Sequence, residues 1–183
     1  MTEAVLLIRH TEVTRAWRGR CYGVSDPGLS RAGAAHAAAL ASNLARWQPD
    51  IVLHSGLRRT SQLAELIAVR AGVATRADPG WRERDFGTWE GKCWSAIYRA
   101  TGNAMDGMID APDRFRPGDG ETTTELADRV AAAFARLPTG RIAIVTHGGP
   151  IAALRGRQQG LAVRDWLALA PALGETWDIA RIV

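Results

Sequence analysis

Lysine is nearly missing from this chain. Lys92 is the only one, so the positive side of the balance (23 Lys+Arg against 19 Asp+Glu, net charge +4) rests on arginine. The arginines run through the whole chain, interleaved with Asp and Glu, whereas nucleic-acid binders concentrate such charge on one face or tail. Cysteine is scarce too. Cys21 and Cys93 cannot build a disulfide framework. No apolar run approaches the roughly 20 residues that cross a bilayer. The opening Met1-Thr2-Glu3-Ala4 has no basic stretch and Arg9 interrupts the apolar run that follows, which predicts no secretory signal and a cytoplasmic address. Nucleotide-binding and serine-hydrolase fingerprints are also missing: no Gly-x-x-x-x-Gly-Lys-Ser/Thr, no Gly-x-Gly-x-x-Gly, no Gly-x-Ser-x-Gly. Neither Cys-x-x-Cys nor His-x-x-x-His occurs, so no zinc spacing is present and no metal is expected.

What remains is an ordinary globular composition, 46% hydrophobic over 183 residues, enough for one domain with a sizeable core. Ala4 to Ile8 and Arg141 to Thr146 read as central strands, apolar on both faces. A shorter run, Ile51-Val52-Leu53, reads as a third strand. Helices alternate with them. Ser30 caps one reaching about Trp47, with Ala35, Ala38, Ala39, Ser42 and Ala45 near one face; Leu57 to Ala71 forms another, closed by Gly72; Glu121 to Leu137 forms a third, stopped by Pro138. Thr176 to Val183 reads as an edge strand, and Gly102 to Gly120 as an excursion or lid within the single domain of residues 1–183. The alternation predicts an α/β fold of three α/β/α layers around a mostly parallel sheet.

In such sheets ligands bind beyond the carboxyl ends of the strands. The first strand ends in Arg9-His10-Thr11, the late one in His147-Gly148-Gly149, and the short one leads through His54-Ser55-Gly56 into Leu57-Arg58-Arg59. Two imidazoles, at least two guanidiniums and a diglycine at a helix start suit a phosphate, because arginine offers its oxygens planar paired donors. Phosphoryl transfer to or from an alcohol also needs a proton donor. Glu83, Asp85 and Glu90 are all available, and spacing does not choose among them. His36 and His54 read as structural.

These residues resemble the histidine phosphatase superfamily in its phosphoglycerate-mutase-like branch. The resemblance lies in Arg9-His10-Thr11 with Gly19-Arg20-Cys21-Tyr22-Gly23, Ser55-Gly56-Leu57-Arg58-Arg59, Glu83-Arg84-Asp85-Phe86-Gly87 with Glu90-Gly91, Gly118-Asp119-Gly120-Glu121 with Arg129, and Thr146-His147-Gly148-Gly149. The motifs keep the family's order from residue 4 to about 156. Thr11 stands where the family usually has glycine, and Val13 and Ala16 where it often has polar residues that help hold the phosphate. The Gly-x-Cys-Tyr-Gly continuation looks most like the short α-ribazole phosphatase-type members, linked to cobalamin assembly.

The resemblance implies a metal- and cofactor-independent, acid-type phosphomonoester hydrolase. His10 would be the nucleophile, forming a phosphohistidine, and Glu83 the acid/base; Arg9, Arg59 and His147 would clamp the phosphoryl oxygens. Thr11, Cys21, Tyr22, Gly23 and Gly148 would join Arg9 and Arg59 in contacting substrate. The expected partner is a small phosphorylated metabolite such as α-ribazole 5′-phosphate, with no nucleic acid and no membrane; a homodimer is compatible with the sequence. Tyr22, Trp89, Trp94, Tyr98 and the segment Met105 to Phe115 are candidates to face the leaving group, with Arg15, Arg18 and Arg20 as a positive rim. A cofactor-dependent phosphoglycerate mutase and a non-catalytic binder of phosphorylated ligands are the alternatives.

Overall fold

A computed structural model describes residues 3–181. Five strands, β1 (Glu3–Arg9), β2 (Ile51–His54), β3 (Ala74–Ala77), β4 (Arg141–Thr146) and β5 (Thr176–Arg181), form one sheet in the order β3-β2-β4-β1-β5. All neighbours run parallel except β5, which lies antiparallel on β1. Seven α-helices are interspersed among the strands: α1 (Arg31–Ala45), α2 (Arg58–Ala71), α3 (Trp94–Thr101), α4 (Gly107–Asp110), α5 (Thr123–Ala135), α6 (Gly148–Gln158) and α7 (Val163–Trp166).

Alternate strand residues divide the core into two. Leu6, Ile8, Val52, Ala143 and Val145 pack against α1 and α2, while Val5, Leu7, Leu53, Ile142 and Ile144 pack against α5 and α6. The result is three layers, as the continuous apolar runs require. A third cluster, Cys21, Trp89 and Ile97 with Met105 and Phe115 against it, lies under the excursion of residues 102–120. That excursion is itself folded, into a 3-10 turn at Gly102–Asp106, α4, and a second turn at Pro117–Asp119.

The helix signals operate as chemistry dictates. Ser30 Oγ accepts from Gly33 N, Gly72 closes α2 in the left-handed conformation at φ +69°, and Thr122 with Glu125 forms a reciprocal capping box on α5. The face that α1 buries is a different one: Gly33, Ala37, Ala41 and Leu44. An alanine-rich helix is apolar all round, so the larger Leu44 and the close approach of Gly33 to the Glu12 carbonyl decide its rotation. β3 carries no sequence signal because all four of its residues are exposed at the sheet edge. The expected last strand is present as β5; Ile182 and Val183 lie outside the described residues.

Candidate active site

β2, β4 and β1 are adjacent and parallel, so their carboxyl ends emerge side by side. Arg9 pairs with Thr146 in the β1/β4 register, and His10 N donates to Thr146 O at 3.0 Å. The residues that follow, His10 and His147, therefore meet edge to face, ring centroids 5.2 Å apart. From the end of β2, the first turn of α2 projects Arg59 to the same point; its side chain is fully buried.

Hydrogen bonds fix the tautomer of each imidazole. His10 Nδ1 lies 2.7 Å from Thr11 O, a carbonyl that can only accept, so Nδ1 carries the proton and Nε2 keeps its lone pair. Arg59 Nε donates to His147 Nδ1 at 3.3 Å, which leaves the His147 proton on Nε2, 2.9 Å from Ser55 Oγ. Ser55 in turn meets Thr60 Oγ1 at 2.8 Å, and Thr60 donates to Leu57 O. Burial, aided by the Arg59 and Arg9 charges, pushes His10 down to about 3 against the opposing pull of its Thr11 bond. Burial first, then Arg59 and His10, holds His147 well below the usual imidazole range. Both rings are neutral at pH 7.

A cavity of about 570 Å³ opens over these groups, lined at its inner end by Arg9, His10, Tyr22, Arg59, Glu83, Gly148 and Gly149. Arg59 gives two of its donors to the carbonyls of Gly23 and Ser25, at 2.6 and 2.7 Å, and one to His147. Two of its five N–H groups remain for a ligand. Arg9 is tied to Pro171 O at 2.7 Å, but its buried Nε has no partner among the described residues. A buried N–H left unpaired costs about 1–3 kcal/mol, which marks the Arg9 guanidinium as an unsatisfied donor group beside this cavity. The start of α6 adds the positive end of a helix dipole at Gly148.

The three candidate carboxylates separate clearly. Glu83 lines the cavity, its oxygens accepting from Arg84 N at 3.0 Å and Gly149 N at 3.2 Å. Asp85 is exposed and caps Gly87 N. Glu90 accepts from the backbone of Gly23, Val24, Ser25 and Phe86, and from Ser25 Oγ. It folds the 23–25 loop whose carbonyls grip Arg59.

Not every expected contact reaches the cavity. Thr11 is buried behind it and ties to α1 through a 2.8 Å bond to Gly33 O. Cys21 packs with Trp89 and Ile97, and burial pushes its thiol up to about 12. Gly23 contributes through its carbonyl to Arg59, where a Cβ would lie 1.7 Å from Arg84 O. His147 sits behind His10 with both nitrogens occupied, so it orients the cup from the back rather than lining the cavity. Tyr22 and Trp94 line it; Trp89 belongs to the core and Tyr98 faces solvent. Of the rim arginines Arg20 lines the cavity, whereas exposed Arg18 pairs with Glu12. Val13 bridges to Leu29 in the interior.

Glu121 and Arg129 stand in one of the sequence motifs with no role read for them, and they form a clamp beside Glu83. Arg129 pairs with Glu121 at 2.8 Å and donates to the carbonyls of Gly80, Arg82 and Glu83, so it grips the backbone that carries the carboxylate.

A match to the family model of the histidine phosphatase superfamily (branch 1) covers residues 5–176. The chain belongs to that superfamily. A glucosyl-3-phosphoglycerate phosphatase of Mycobacterium tuberculosis is 30% identical over 186 residues, covering 94% of this chain and 82% of its own. A metal-independent phosphoserine phosphatase of Arabidopsis thaliana is 29% identical over 157 residues, 82% of this chain and 66% of its own. The native structure of the mycobacterial glucosyl-3-phosphoglycerate phosphatase superposes with a TM-score of 0.86 at 27% identity, over 97% of this chain and 90% of that one. The α-ribazole phosphatase of Shigella flexneri superposes at 0.84 with 24% identity, over 96% and 89%, a likeness of fold. The named relatives include phosphatases and probable phosphoglycerate mutases.

Proposed function

We propose that the chain hydrolyses a small phosphomonoester through a phosphohistidine on His10. The single observation that carries this is the His10 ring: buried and neutral, Nδ1–H held by the Thr11 carbonyl, at the wall of a cavity with unspent guanidinium donors. Its Nε2 lone pair attacks phosphorus in line, and the ester P–O bond breaks. Arg9 and Arg59 hold the non-bridging oxygens, where charge stabilisation supplies most of the catalysis. Glu83 gives its proton to the departing alkoxide, then takes one from the water that breaks the N–P bond. Phosphate leaves, and His10 is free again.

The proposed substrate class is a small metabolite ester; α-ribazole 5′-phosphate is one such ester, supported by the resemblance of Arg9-His10-Thr11 and Gly19-Arg20-Cys21-Tyr22-Gly23 to the short α-ribazole phosphatase-type members. Rapid quench with a labelled ester tests the mechanism, with and without EDTA. Wild type accumulates an acid-labile phosphoenzyme whether or not EDTA is present. His10→Ala loses it together with turnover, and Glu83→Gln lowers kcat by about 10²–10⁴. Wild-type turnover by His10→Ala overturns the proposal. Transfer of the phosphoryl group to a second phosphoacid with little net phosphate release assigns a mutase instead.

A further inference from the structure

Beyond the phosphoryl cup, the same cavity changes character. Its outer wall is built from Trp94, Met105, Met108, Ile109, Trp166 and Leu167. These come from α3, the excursion, and α7 with the 3-10 turn that follows it.

Trp94, the start of α4 and Trp166 are packed in place, while Leu167 and Ile109 are exposed. Trp94 stands edge to face with Phe86, centroids 5.5 Å apart. The Phe115 ring fills the space over Gly107, where a Cβ would come within 2.6 Å of it, and so holds the start of α4. Trp166 lies against Gly156, where a Cβ would come within 2.2 Å of the indole. Its one polar atom, Nε1, is satisfied by Leu161 O at 3.0 Å, which leaves the ring surface apolar. α4 and α7 touch each other across the mouth.

Polar groups at this end are few, and the guanidiniums of Arg20 and Arg84 keep N–H groups beyond their carbonyl bonds. Thr123 Oγ1 is given to Met108 O at 2.7 Å. Arg20 holds the carbonyls of Ala16 and Gly91, and the guanidinium of Arg84 lies 6.0 Å from the Phe86 ring centroid while donating to Glu121 O. Asp106, exposed at the mouth, opposes an anionic substituent there.

We infer that the leaving alcohol carries an apolar, flat body, an aromatic ring or its equivalent, which the side chains of Trp94, Met105, Met108, Ile109, Trp166 and Leu167 cover while the cup holds the phosphate. Indole faces and methionine sulfurs suit an aromatic ring, and indoles packed in advance bind it with little ordering cost. The inference rests on the phosphomonoesterase reading of the cup for its catalytic form, and its binding form stands apart from turnover.

Esters of primary alcohols with similar leaving ability isolate the effect: 2-phenylethyl phosphate against glycerol 1-phosphate, phosphoserine and glucose 6-phosphate. The expected result is a kcat/KM at least tenfold higher for the phenylethyl ester. Leu167→Ser and Met108→Gln narrow that ratio severalfold. In parallel, calorimetric titration of 2-phenylethylphosphonate against 2-hydroxyethylphosphonate reads binding without bond cleavage, with at least tenfold tighter binding of the aryl compound expected. Equal or better turnover of the polar esters, equal phosphonate affinities, or variants with an unchanged ratio overturn the inference. Absence of any turnover with the tenfold phosphonate preference intact instead overturns the hydrolase reading and leaves this one standing.

Discussion

Arg59 Nε donates to His147 Nδ1 across 3.3 Å, so one guanidinium both lines the cavity and sets the tautomer of the imidazole behind it. A lysine keeps the charge and loses the fork. Arg59→Lys forfeits the bonds to the Gly23 and Ser25 carbonyls as well as the one to His147. The expected fall in kcat/KM is about a hundredfold, from loss of two or three charge-assisted bonds of about 1.5–3 kcal/mol gross each with partial replacement by water. Steady-state kinetics and inhibition by inorganic phosphate check it; both constants should weaken together.

Gly149 leaves room for the proposed acid. A Cβ there would fall 2.1 Å from Glu83 Oε1, so Gly149→Ala must push the carboxylate aside. The prediction is a kcat lowered at least about tenfold, with thermal stability nearly unchanged because the side chain that moves borders a cavity. Parallel melting and rate measurements separate this from a folding defect.

Glu90 acts at one remove. Its carboxylate gathers the 23–25 loop and does not line the cavity. Glu90→Ala strips several backbone donors of their acceptor and should cost about 2–4 kcal/mol of stability by denaturant titration. It should also raise KM more than it lowers kcat, because Arg59 loses its carbonyl anchors while Glu83 keeps its position.

The buried neutral histidines predict the acid response. His10 titrates near 6.5 when unfolded and near 3 when folded, and His147 is displaced in the same direction. Below pH 6.5 the unfolded chain takes up protons that the folded chain refuses, so stability falls as pH drops and is flat above that value. By pH 5 the loss is about 2 kcal/mol for His10, and His147 adds a loss of the same sign. Urea midpoints measured from pH 8 to 5 test this, and His10→Asn should show a shallower decline. A midpoint constant over that range would refute the assignment of both rings as neutral.

The strands β1 and β4 were readable because they are buried on both faces and so continuously apolar, each with its histidine at the end. Their adjacency brings His10 and His147 together, and Arg59 follows from its place in the first turn of α2. β3 left no trace because an exposed edge strand needs no apolar pattern. The rotation of α1 was unreadable for the opposite reason: alanine on every side gives no stripe to follow. Spacing alone could not rank Glu83, Asp85 and Glu90, because their difference lies in which backbone N–H groups fold around each. Cys21 stands within a motif yet faces inward, since a motif marks a loop's shape as much as its contacts.

One consequence follows from the β1/β4 pairing. The two imidazoles belong to opposite ends of the chain and become neighbours only when those strands align. No contiguous half of the polypeptide can therefore carry out the chemistry. During refolding, regained turnover marks assembly of the sheet's centre, well after helices such as α2 can form from local contacts.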